Sequence, residues 1–200
     1  MNQALNIFLA GLDRVRALHA LHLNFVGTVA PIVDLSDILR AEIVLIVSAF
    51  DCFIHDVTRV GMIEIWQGVR NPTPAYVRFN ISLGVATQLA GAAAVAAHLE
   101  TEIRTRHSFL AFQQPDNVAD AIRLYSPIEL WNTVAAQLGQ DAQALKAQLR
   151  LIVERRNKIA HEADLDPSFP GQRWPITRAD VEDAFRFIEE IGNAIYNATH

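Results

Sequence analysis

The chain has 200 residues, 51% of them hydrophobic and 20% charged, with a formal net charge of −5 at pH 7. That composition excludes a disordered chain and is enough for one sizeable core, while the acidic balance, with a pI near 5.8, excludes a broad basic surface that coats nucleic acid non-specifically. The one cysteine, Cys52, excludes disulfides within the chain; set in an apolar run, it reads as a buried, inert thiol in a reducing compartment.

The start, MNQALNIFLAGLDRV, lacks the basic segment, continuous apolar run and cleavage site of a signal peptide. The most apolar runs, Ile43 to Ile54 and Gly84 to Leu99, fall short of a membrane span, so a cytoplasmic protein with no membrane partner is expected. Residues 2–23 predict an amphipathic helix, with Leu5, Phe8, Leu9, Leu12, Val15, Leu18 and Leu23 at helical spacing and His19 and His22 read as packing residues. Gly27 to Asp34, with Pro31, breaks it. Ser36 offers an N-cap for a long helix to about Trp66, with Leu35 as a staple residue, and its apolar sides make this the expected central element.

In the loop Gly68 to Pro74, Thr73 can cap and Pro74 can open the next turn. Ser82 to about Phe109 reads as one long Ala-rich helix ending in Arg104, Arg106 and His107, a cluster read first as a solvated helix end and second as a phosphate contact. Pro115 and Asp116 open a short helix through Tyr125, and Ser126-Pro127-Ile128-Glu129 forms a capping box for the next, which Gly139 stops. Asp141 caps a helix to about Ala163, a Pro-rich acidic turn comes after it, and Thr177 with Asp180 starts the last helix, with Val181, Phe185, Ile188, Ile191 and Ile195 on its core face. No strand pattern or repeat appears. The fold class expected is all-α, an up-and-down bundle of about five to six helices. Residues 1–200 would form a single domain, with 1–34 as a helix and linker packed on it.

The reactive residues gather in LIVERRNKIAHEADL, residues 151–165. Leu145, Leu149, Ile152, Arg156, Ile159 and Ala163 share one stripe, which places Arg156 on the buried side. Asn157 and His161 are one turn apart on the neighbouring face, so the Asn157 amide can orient the His161 imidazole. Glu154 and Lys158 have the orientation of a helix ion pair, while Arg155 and Glu162 flank the trio within reach of a cleft.

Other chemistries lack their residues. The seven His and single Cys form no compact metal-ligand set, no Gly-rich phosphate loop or nucleophile elbow occurs, and no cofactor is expected. A proton-transfer group and a cation remain. That pair suits RNA cleavage by the RNA's own 2′-hydroxyl: an imidazole moves protons near neutral pH, and a guanidinium holds the phosphate as negative charge develops. The bland reading of the same residues is an Arg that pairs with a core acid and a His that ends a helix.

Arg156, Asn157 and His161 resemble the motif of HEPN-superfamily ribonucleases, an Arg, a polar residue directly after it and a His four to six residues beyond the Arg. Spacing alone also admits Arg14 with His19 and Arg16 with His22, but Val15 and Ala17 follow those arginines. The string RRNKIAHEADLDP, with AEIVLIVSAFDCFIHD and FQQPDNVADAIRLYSPIELWNTVAAQLG upstream, is similar to the RiboL-PSP-HEPN branch over residues 35 to 190.

The resemblance implies a metal-independent endoribonuclease of toxin or phage-defence type, built as a homodimer that pairs two motif helices across a shared cleft, with RNA as substrate and an antitoxin or defence-system protein as partner. The branch also carries an acidic residue and a His in the central helix, facing the motif helix. Asp51 and His55, in register with Arg59 at intervals of four, stand there for two readings: a solvated ladder, or a site role in which Asp51 orients Arg156 or His161 and His55 lines the cleft. HEPN toxins controlled by nucleotidyltransferase antitoxins carry a Tyr two residues after the His, where this chain has Ala163. The alternative function is a non-catalytic HEPN-like module that binds RNA or a protein.

Overall fold

A computed structural model describes residues 1–26, 28, 33–91 and 95–200. The expected break at Gly27 and Pro31 lies outside them. Among the described residues the protein is all-helical, as expected, with nine helices: α1 Asn2–Val26, α2 Ser36–Trp66, α3 Pro74–Val77, α4 Leu83–Ala90, α5 Ala96–His107, α6 Pro115–Arg123, α7 Leu130–Leu138, α8 Ala142–His161 and α9 Arg178–Thr199. Five of them, α1, α2, α5, α8 and α9, run twelve residues or longer.

The 31-residue α2 is the axis of the bundle, packing against α1, α5, α6, α8 and α9. Ile46, Val47, Phe50, Ile54 and Val57 are wholly buried along it, because its apolar residues leave no continuous polar face. Leu145, Leu149 and Val153 of α8 and Ile188, Ile191 and Ile195 of α9 close over that surface. From α1, Phe8 stacks on Phe53 with ring centroids 4.8 Å apart, a burial that contributes about 1.5–3 kcal/mol for the side chain. The ring approaches so closely because Gly192 faces it: a Cβ there would sit 2.4 Å from Phe8.

Several helix ends follow the sequence. Thr73, Asp141 and Thr177 accept backbone N–H groups at their helix starts, Thr177 within a full capping box with Asp180, and Gly139 ends α7 in the left-handed conformation. Three expectations are corrected. Ser36 is not the cap of α2: the Asp34 carboxylate accepts its N–H, and the Ser36 hydroxyl accepts from Arg40. The capping box at Ser126 does not form, because the Ser126 N–H bonds back to Ile122 at the end of α6 and α7 starts only at Leu130. The Ala-rich segment is not one helix. Backbone turns extended at Gly91 and Val95 separate α4 from α5, and the Glu102 carboxylate of α5 accepts the Ser82 N–H at the start of α4.

Cys52 is exposed rather than buried, since the apolar run of α2 wraps onto its outward face beside half-exposed Leu45. Partial desolvation and the neighbouring Asp51 and Asp56 push its thiol pKa up, the opposite of an activated thiolate.

Candidate functional site

Sequence periodicity places Arg156 with the buried stripe of α8, but the core stripe passes through Leu145, Leu149 and Val153, and Arg156 is half-buried beside it. Its Nη1 donates to Asn157 Oδ1 at 3.0 Å, while its Nε is buried and has no partner. Arg156 makes no ion pair among the described residues. The Asn157 amide oxygen thus holds the guanidinium rather than the imidazole: His161, the exposed last residue of α8, has no hydrogen bond among the described residues. Glu162, also exposed, occupies the helix end, with its N–H on Lys158 O.

The buried acid beside the end of α8 is Asp164, and its partners are Arg40 of α2 and Arg155, the neighbour of Arg156. Asp164 is fully buried; its Oδ2 accepts from Arg40 Nε at 2.7 Å and from Arg155 Nη2 at 2.8 Å. Arg40 Nη2 also donates to Trp174 O, and Arg155 Nη2 to Pro175 O. Two cations on Oδ2 offset the desolvation of the buried carboxylate, whose Oδ1 has no partner among the described residues, and each guanidinium is forked enough to reach backbone carbonyls as well. Arg155 is therefore a clamp on the turn rather than a cleft residue. Lys158 does not pair with Glu154; its Nζ lies 5.1 Å from the centre of the Trp174 ring.

The clamp fixes an unusual backbone. Ala163 and Asp164 have φ of 53° and 58°, two consecutive non-glycine residues in the left-handed region. Asp164 N–H bonds to Lys158 O and Trp174 N–H to Asp164 O, and an antiparallel bridge pairs Leu165 with Arg173. A short hairpin-like loop thus leaves α8 directly after His161, showing exposed Leu165 and Phe169 beside it. Arg40 and Asp164 were missed from sequence; the signal present was an Asp, one of the few side chains tolerant of the left-handed region, just after the helix.

The structure does not bring Asp51 and His55 to this place. Asp51 lies about 16 Å along the α2 axis from Arg40. Its Oδ1 accepts the Phe112 N–H at 2.7 Å, which fastens the loop between α5 and α6. His55 bonds Leu110 O at 3.3 Å and packs on Phe112, facing His107. Arg59 turns away to Asp56 and Glu100. His107 is buried, and desolvation with His55 opposite pushes its pKa down to about 4, so it is neutral at pH 7. The basic cluster is spent on its own helix, Arg104 on Glu100 and Arg106 on Glu102.

Among the described residues the protein is all-helical, an architecture that fits a HEPN-like fold, and its late helix α8 bears Arg156, Asn157 and His161. Residues 124–199 match the model of the family described as RiboL-PSP-HEPN, a span that contains α7, α8 and α9. Over that span the chain is similar to the RiboL-PSP-HEPN family of the HEPN superfamily. No curated protein and no solved structure matches it. The family includes ribonucleases, so the match is compatible with a ribonuclease or with a helical module. No described helix is long and apolar enough to cross a membrane.

Proposed function

We propose that the protein is a metal-independent endoribonuclease whose site is completed by a second copy of the chain. The observation that carries this reading is the contrast between adjacent arginines: Arg155 is committed to Asp164, while Arg156 is held by an amide and keeps its charge uncompensated, five residues before an exposed histidine. A guanidinium without a carboxylate is what a scissile phosphate requires.

One imidazole takes the 2′-hydroxyl proton as that oxygen attacks phosphorus; the P–O5′ bond breaks and a protonated imidazole supplies the proton to the 5′-oxygen, leaving a 2′,3′-cyclic phosphate. Arg156 holds the non-bridging oxygens as they gain charge. Two imidazoles are needed at one instant, and α8 carries one. Moreover, five residues rotate Arg156 and His161 about 140° apart on the helix, so one helix presents them poorly to one phosphate. Two α8 helices related by a two-fold axis would supply both. An antitoxin or defence-system partner belongs to the same reading, as the means of holding such an activity in check.

The test is incubation of the protein and its His161→Ala variant with total RNA in EDTA. Cleavage by the parent alone, with cyclic phosphate ends and a loss of at least about 100-fold in the variant, is expected. Equal cutting by both would remove His161 from the mechanism. RNA affinity without cleavage, unchanged by His161→Ala, would instead indicate the non-catalytic binding module.

A further inference from the structure

A cleft of about 390 Å³ lies between α1 and α9 above the start of α2, within the size range of small-molecule sites. Its walls are hydrocarbon, from Val15, Leu23, Val181 and Phe185, and its lining includes Glu42 and His19. None of it comes from α8, so a ligand bound there is independent of the ribonuclease reading.

The Glu42 side chain is wholly buried. Its Oε2 meets His19 Nδ1 at 2.7 Å, but Oε1 has no hydrogen-bond partner among the described residues. Leaving a carboxylate oxygen dry and unpartnered is costly. The lining arginines are already engaged: Arg16 binds Asp13 and Glu189 and covers the Phe185 ring at 4.7 Å, and Arg186 binds Asp183. His19 Nε2 is 3.3 Å from Glu182, which adds a second carboxylate to the rim. The cleft therefore combines apolar walls, no uncommitted arginine among the described residues and an acid with one oxygen, Oε1, that lacks a donor.

We infer that this cleft binds a small apolar molecule bearing one cationic amino group, its hydrocarbon against Val15, Leu23, Val181 and Phe185 and its ammonium on the Glu42 carboxylate. The preference for a cation rests on Glu42 Oε1 alone, because the other lining acids are already paired, Glu189 with Arg16 and Glu182 with His19 and Arg178.

The test is an NMR titration of the full chain with benzylamine, and with benzyl alcohol as the uncharged equivalent. Saturable binding of benzylamine is expected, with shifts confined to cleft residues of α1, α2 and α9. Glu42→Gln and the exchange of amine for alcohol should each weaken binding at least about tenfold, as for loss of a charge-assisted hydrogen bond. Ala20→Trp, at an exposed lining position, should abolish binding while the protein stays folded. Absence of benzylamine binding to the parent chain would overturn the inference. So would equal affinity for the alcohol, or benzylamine binding that Ala20→Trp leaves intact; these two readouts decide the matter even if Glu42→Gln fails to fold.

Discussion

The motif helix α8 is entered and left through left-handed backbone, and the two ends handle it in opposite ways. At the entry Gly139 takes φ 63°, and a side chain there would meet nothing within 4 Å, so glycine is present for its backbone freedom alone. At the exit Ala163 and Asp164 take nearly the same φ with side chains in place, at about 1–2 kcal/mol each. Residue choice solves the first turn. The second is held from a distance by Arg40, Arg155 and the backbone of Trp174. Strain held by surrounding structure clusters where a chain performs a task, and here it adjoins His161.

That contrast can be broken most severely at Asp164. Asp164→Ala leaves Arg40 and Arg155 without their carboxylate and should cost about 3–5 kcal/mol in urea unfolding; a loss under about 1 kcal/mol would mean the clamp does not hold the exit. Gly139→Ala forces a Cβ into the left-handed region at the entry and should cost about 1 kcal/mol by the same measurement. The smallest effect sharpens the comparison: Ala163→Gly should raise stability by about 0.5 kcal/mol, strain relief slightly exceeding the added freedom of the unfolded chain. Thermal melts that showed Ala163→Gly destabilising as much as Gly139→Ala would erase the distinction between the two ends.

Local signals in the sequence carried most of the helical frame. Asp141, Thr177 with Asp180, Thr73 and Gly139 act within four residues of themselves, so their pattern needs no knowledge of the fold. Ser126 has the same pattern and failed, because its N–H was already used in closing α6. Alanine spacing likewise gave no hint of the extended backbone at Gly91 and Val95. At the candidate site, the placing of Arg156, Asn157 and His161 together late on α8 was legible, but the partner each side chain takes was not. Which arginine meets the acid depends on Asp164 being folded back under α8 and on Arg40 arriving from α2, neither of which periodicity encodes. Asp51 and His55 were drawn toward the motif by resemblance, whereas the loop at Leu110 to Phe112 claims them.

The Arg40 to Asp164 bond joins residues 124 positions apart, and the Arg40 to Trp174 bond 134. Contacts of such separation follow loop closure and form after local helices during folding. Helix α8 by itself sets the order of Arg156, Asn157 and His161, while the shaped exit beside them needs Arg40 from α2. The geometry of the exit thus depends on a contact with a distant helix, whereas the order of Arg156, Asn157 and His161 along α8 does not.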